Sequence, residues 1–503
     1  MPTTVAGPVA PASSASSVPP GPAPEHTPEA LIAAEDRGLH KDLSPRHLQM
    51  IAIGSAIGTG LFLGAGGRLH TAGPSLVLLY AICGFFGYLI LRSLGELVVR
   101  RPSAGSFVSY AREFFGEKAA FVSGWLSWLN WAMVAVAEAT ALALYVAWFG
   151  RYTSLSFLGE IPQWIVALAM VVLVVSLNLI SVKIFGEMEF WFALVKVLAL
   201  VAFLVIGTVM VLVGTPTGTP TGFALISDNG GWFPNGVLPA VIMTQGVVFA
   251  YMGIELVGTA AGETKDAAAV VPRAINSILF RVVLFYCGSV LLLSLLMPAS
   301  AYSAGESPFV TFFDSIGVDY AAPIMQLVLI TAAMSSMNAG IYSTGRIIHS
   351  MAVAGSAPKF ARSVTRSGVP WGGIAMTAAV AMVGVMVNLV VPELAFEIML
   401  NVVAIGVVAT WGTICASHLK FLLLCRRGEM ERPSYRAPGG IAADVAVLVF
   451  LAAVLVLTAL DYPVGTFTLA SLVVVVPALI GGWFLVRDRV AEIAAVAAAA
   501  ESR

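Results

Sequence analysis

Two stretches of this chain place glycines beside hydroxyl or carboxylate side chains within otherwise apolar sequence. Gly54-Ser55-Ala56-Ile57-Gly58-Thr59-Gly60 lies in the first apolar run, and Phe249-Ala250-Tyr251-Met252-Gly253-Ile254-Glu255 in the sixth. Glycine destabilises a helix interior by about 1 kcal/mol relative to alanine, so neither stretch is expected to run as an unbroken helix. In a bilayer, backbone groups freed from a helix are tolerated only where protein buries them or where they line a cavity. Helix ends at that depth hold polar solutes. Their N–H groups suit a carboxylate, and their carbonyls suit an ammonium or a cation. The two breaks together fit a small zwitterion of the amino-acid type. Ser55, Gly58, Thr59 and Gly60 in the first, with Ala250, Gly253 and Glu255 in the second, are the candidate contacts. The competing reading of the glycines is close helix–helix packing, which small residues also serve.

Ionisable residues within apolar runs are the next candidates, since each costs about 2.5–3.5 kcal/mol or more at the bilayer centre. Lys196, in the fifth run, is a proton carrier if its ammonium is buried and a snorkelling lysine if it reaches the interface. Glu255 could bind an ammonium, take a proton or brace the unwound backbone. Glu138 sits among alanines midway along the third run, facing either the solute or a polar contact between helices. Glu96, near Arg92 and Arg100, reads as a gate or a structural ion pair. Ser336 and Asn338 in the eighth run could line a cavity or pair helices. Trp125, Trp128 and Trp131 mark one helical face and read as packing or an interface belt.

These residues need elements to hold them, and composition says what those elements are. The chain has 503 residues, 58% hydrophobic and 11% charged, against about 25% charged in an ordinary soluble domain. Continuous apolar runs near the ~20 residues that span a bilayer as helix predict an all-α integral membrane protein and exclude a β-barrel. Twelve spans are expected: 48–66, 73–97, 119–148, 162–182, 190–213, 237–260, 276–298, 321–349, 371–391, 395–424, 441–460 and 465–486. A polar connector (100–118) and a short interfacial helix within 299–320 join them. With the N-terminus cytoplasmic, only Arg68 and Arg151 of the 27 basic residues fall outside, and Lys196 falls within a span. That asymmetry predicts both termini in the cytoplasm. Residues 1–40, rich in Pro, Ala and Ser, are expected as a disordered cytoplasmic tail, and 491–503 as a second tail. Net charge is −1, which gives no reason to expect nucleic acid. The four cysteines lack metal-ligand spacing, and no nucleotide-binding loop or nucleophile elbow is present.

The motifs around these residues resemble a known family. Ile53-Gly54-Ser55-Ala56-Ile57-Gly58-Thr59-Gly60-Leu61-Phe62 resembles the first-span signature of the amino acid–polyamine–organocation superfamily. Gly95-Glu96-Leu97 with Arg101-Pro102-Ser103-Ala104-Gly105-Ser106-Phe107, and Phe249 to Gly258 with Ala261-Gly262-Glu263-Thr264-Lys265, are similar to motifs of its amino-acid transporter branch. Glu255 to Glu263, Gly305 to Phe313, Asn338 to Arg346 and Asp461 to Thr468 resemble the subgroup that carries L-asparagine. The resemblance implies a five-plus-five inverted repeat (LeuT-like) with broken helices 1 and 6. The repeats would cover about 47–213 and 237–424, with extra helices at 441–486, inside a transporter domain of 41–490. It also implies amino-acid/proton symport by alternating access. It puts carboxylate binding on Thr59 and Gly60, an aromatic gate on Phe249 and proton coupling on Lys196. Antiporter relatives often have tryptophan at the gate, the asparagine subgroup aspartate at position 138, and the family usually proline at 267; this chain has Phe249, Glu138 and Ala267.

The expectation is a plasma-membrane importer rather than an enzyme, with no cofactor and no metal. Its partners are a free amino acid, a proton and membrane lipid, with a homo-oligomer left open. Glycine, D-alanine, D-serine or γ-aminobutyrate as cargo, and a receptor or channel as a different class, remain the alternatives.

Overall fold

In the computed structural model the apolar runs are helices, described for residues 44–54, 57–151, 153–261, 264, 267–276, 278–390, 392–462 and 464–501. The expected tail over 1–40 and the candidate Ser55 lie outside the described residues. The helices are α1 (Pro45–Gly54), α2 (Thr59–Phe62), α3 (Ala65–Ala72), α4 (Leu76–Arg100), α5 (Ser106–Phe115), α6 (Glu117–Trp148), α7 (Gln163–Asn178) and α8 (Val182–Val213). Then follow α9 (Val237–Ile242), α10 (Thr244–Ala250), α11 (Leu256–Ala261), α12 (Ala267–Asn276), α13 (Gly288–Leu296), α14 (Pro308–Ser315) and α15 (Ala321–Val353). The chain ends with α16 (Trp371–Val390), α17 (Pro392–Arg426), α18 (Gly440–Leu460), α19 (Val464–Ala470) and α20 (Leu472–Glu501). Among the described residues eight helices are long and apolar enough to cross a membrane, and 163–178, 237–250 and 282–296 are shorter apolar helices.

Both glycine-bearing stretches interrupt their helices. The first run is α1, then a gap, then α2 opening at Thr59. The second leaves α10 at Ala250 and resumes as α11 at Leu256, with Gly253 at φ +97°. That left-handed backbone is one only glycine adopts readily.

Several boundaries differ from expectation. Helix α8 starts at Val182 rather than 190, because the Ser181 hydroxyl caps it by accepting from the Ile184 N–H. Helix α20 continues to Glu501, so the tail expected over 491–503 is helical through Glu501; its Ala494 to Ala500 segment is almost all alanine, the best helix former. The connector over 100–118 is partly α5, wedged between α6 and α17 with Ser106 through Phe114 buried.

Helix α6 is the central post. It packs along α15 and α17, and Val134 through Ala143 are buried without interruption. Helix α8 has two faces. Glu189, Ala193, Lys196, Leu200, Phe203 and Gly207 are buried at spacings of four, three, four, three and four residues, along a face that packs on α1 and α15, with Phe203 on α14 and Gly207 on α13. Trp191, Leu198, Val205 and Leu212, spaced by sevens, are exposed. An exposed aliphatic and aromatic stripe along a whole helix suits lipid, since soluble monomers rarely present so large an apolar patch. Glu189 and Lys196 of α8 point inward, away from that stripe.

Candidate functional site

The break after α1 is held against the middle of α6. Thr59, first residue of α2, donates its hydroxyl to Glu138 Oε1 at 2.8 Å. Both residues are buried, and Glu138 Oε2 has no hydrogen-bond partner. The glycines on either side of Thr59 are explained by what faces them. A Cβ at Gly60 would lie 2.5 Å from Ala250 Cα, so the two breaks touch backbone to backbone. A Cβ at Gly58 would stand 3.4 Å from Ser336 Oγ on α15. Gly58, Thr59, Gly60, Glu138, Ala250 and Ser336 thus converge on one point, with Phe249 buried beside it at the end of α10.

Gly60→Ala is accordingly expected to push the two breaks apart, costing about 1–3 kcal/mol of overpacking. A lowered melting temperature and reduced solute binding by the purified protein would check it.

A second polar chain runs beside the first. The Lys196 ammonium donates to the Gly54 carbonyl at the end of α1 and, at 2.8 Å, to the Ser335 hydroxyl. Ser335 in turn donates to Glu189 Oε1 at 2.5 Å. Lys196 is 0% exposed, so its head does not reach the surface as a snorkelling lysine would. Gly54 permits the approach, since a Cβ there would fall 2.6 Å from Ala193 Cβ and 2.9 Å from Glu189 Oε1. The chain ties the first half-helix to α8 and α15 through one ammonium.

Glu189, also 0% exposed, is the buried ionisable residue the sequence reading missed. Starting the span at 190 left it among the loop carboxylates, beside Glu187, which does face outward to Arg46 and His47. The available signal was its spacing of seven residues from Lys196, two helical turns on one face.

The remaining candidates lie apart from this junction. Glu255 accepts from the Gly253 N–H at 3.2 Å and from Trp411 Nε1 at 3.3 Å, which braces the second break on α17. Asn338 is engaged by the Asn178 amide of α7 at 2.7 Å. Arg68, assigned to a loop by its charge, instead reaches back from α3 and donates to the Gly60 carbonyl at 3.1 Å. It also packs on Gly246 of α10, where a Cβ would meet its Nε at 2.4 Å.

Glu96 does not pair with Arg92 or Arg100, as its place in the sequence suggested. Arg100 bonds Glu113, and Arg92 bonds Asn276 and the Arg436 carbonyl. Glu96 is gripped by Arg432 through two hydrogen bonds of 2.7 and 2.8 Å, by the Ala437 N–H at 2.6 Å and by His418 Nε2 at 3.2 Å. His418 Nδ1 lies 2.7 Å from Asp444, joining α4, α17 and α18. Arg432, in the loop outside the spans, has its pKa raised by the hydrogen bonds to Glu96. Glu96→Ala would strand a buried imidazole and a guanidinium, and breaking a buried pair costs about 3–5 kcal/mol. The expected result is a large fall in melting temperature in detergent, with no change in cargo preference for the protein that survives.

Two interrupted helices meeting at Gly60 and Ala250 inside an apolar bundle, with a buried carboxylate and a buried lysine beside the junction, define a membrane solute carrier. The profile of the amino acid permease family matches residues 47–495. The chain is 54% identical over 463 residues to an L-asparagine permease of Salmonella typhimurium, covering 92% of each. It is 53% identical over 471 residues to an L-asparagine permease of Escherichia coli, covering 93% of each. It is 55% identical over 461 residues to L-asparagine permease 1 of Mycobacterium tuberculosis, covering 92% of this chain and 93% of that one. The chain belongs to the amino acid permease family: it is a multi-pass membrane transporter and not an enzyme.

Proposed function

We propose that this protein imports L-asparagine across the cell membrane with a proton, by alternating access. The observation that carries the site is the Thr59–Glu138 hydrogen bond, which leaves Glu138 Oε2 without a partner where the two breaks meet. The cargo's α-carboxylate lies against the N–H groups of Thr59 and Gly60 at the start of α2, those of Leu61 and Phe62 being taken by the Gly58 carbonyl. Its ammonium takes the open oxygen of Glu138. Its side-chain amide faces the α15 wall at Ser336. The printed names of the three relatives support asparagine over another amino acid.

Lys196 is the proton carrier in this reading. While charged, it pins the Gly54 carbonyl to Ser335 and Glu189. Loss of its proton weakens that pin and frees α1 to pivot about the break. Cargo and proton then bias the two states only through their differing affinities for each.

The frame for this cycle is a twelve-span bundle occupying about 41–490. Its five-plus-five inverted repeats cover about 47–213 and 237–424, the extra helices lie at 441–486, and both termini are cytoplasmic. The basic-residue asymmetry supports that orientation.

A competition panel in a strain lacking its own permeases tests the cargo. Unlabelled L-asparagine should suppress uptake of labelled L-asparagine, while glycine, D-alanine, D-serine and γ-aminobutyrate should not. Equal suppression by any of these reassigns the cargo.

A further inference from the structure

A cavity of about 350 Å³ lies beyond the junction, between the C-terminal end of α6, helix α14 and the start of α15. Pockets of roughly 300 Å³ and upward hold small molecules. Its polar lining includes Tyr145, Arg151, Glu306, Ser307, Asp314 and Gln326. Arg151 and Glu306 pair at 3.0 Å across the mouth, both about half exposed. Exposed pairs of this kind contribute little and exchange readily for another ion.

Deeper in, two hydroxyls are poised without use. Tyr145 and Ser307 are buried, and neither Oη nor Oγ has a hydrogen-bond partner. Ser307 stands at the N-cap of α14, where a serine normally accepts from the helix's own N–H groups, yet its side chain makes no cap bond. Buried polar groups are rarely left unpaired without a ligand or water to satisfy them. Gln326, also buried, anchors the floor by donating to the Tyr145 carbonyl at 3.2 Å. Tyr145 follows Glu138 by seven residues, two turns along the same face of α6. The cavity therefore continues the line of the junction toward the face that the charge asymmetry assigns to the outside.

We propose that this cavity is a staging site, where a zwitterionic amino acid binds before it reaches the breaks. Its carboxylate takes the Arg151 guanidinium from Glu306, its ammonium is held by Glu306 and Asp314, and the Tyr145 and Ser307 hydroxyls complete its shell. The proposal rests on the reading of this chain as an amino-acid importer.

The test uses the full chain in proteoliposomes, with labelled L-asparagine as the probe, comparing wild type with Arg151→Glu, Arg151→Lys and Tyr145→Phe. Arg151→Glu and Tyr145→Phe should each raise KM about fivefold or more, the effect of losing one hydrogen bond, with Vmax little changed. Arg151→Lys should restore most of the loss. Arg151 is exposed, so its variants keep the question open to test even if Tyr145→Phe folds poorly. A wild-type KM in Arg151→Glu would overturn the staging site while leaving the transport reading intact. A KM raised only in Arg151→Glu and lost at 1 M salt, with Tyr145→Phe at the wild-type KM, would also overturn it, since that is the mark of long-range steering alone. No uptake by the wild type would instead remove the transport reading, and the staging site with it.

Discussion

Lys196→Met abolishes accumulation of cargo against a gradient while leaving exchange of cargo across the membrane measurable. The ammonium links the Gly54 carbonyl to the Ser335–Glu189 pair, and methionine has nearly the length of the lysine side chain without its charge. The substitution also leaves the Ser335–Glu189 pair without the ammonium that faces it, and a buried polar group left unsatisfied costs about 1–3 kcal/mol. Lys196→Met alone is therefore expected to fold less well, and Lys196→Met combined with Glu189→Gln should recover much of that stability without recovering accumulation. Counterflow and pH-driven uptake, measured on the same proteoliposomes, separate the two effects. Accumulation that survives in the double variant would remove Lys196 from the coupling step.

Glu138→Gln produces the largest loss of affinity. It exchanges the open carboxylate oxygen for a neutral amide while Thr59 retains an acceptor or donor at the same place. A hydrogen bond to a charged group contributes about 1.5–3 kcal/mol, so the dissociation constant should rise about 10- to 150-fold. Calorimetric titration of the purified variant checks this directly. Glu138→Asp, which places the residue expected for the asparagine subgroup, should keep the charge and lose far less. An unchanged dissociation constant in Glu138→Gln would move the ammonium elsewhere, with Glu255 the next carboxylate to try.

Much of this was legible in the sequence because the bilayer makes local rules strict. Glycines inside apolar runs placed both breaks, since unwound backbone at that depth has few tolerated settings. Thr59, Glu138 and Ser336 come from three separate runs, and their types alone marked them as candidates. Their convergence was not readable, because it depends on Gly60 meeting Ala250 at backbone distance. Glu255 illustrates the reverse case. It stands in a break, yet Trp411, 156 positions away, turns it into a brace. Glu96 finds Arg432 at a separation of 336 residues, where nearby arginines offered the simpler pairing. Glu189 was hidden by a boundary error of two turns, which the Ser181 cap explains. Periodicity finds elements, but partners across the bundle are set by which faces pack.

The most direct test of the account is uptake of labelled L-asparagine by proteoliposomes holding the full chain, with a pH gradient imposed, inside alkaline. Accumulation above the external concentration that a protonophore collapses is the predicted result. Uptake that stops at equal concentrations, or is indifferent to the protonophore, would contradict it.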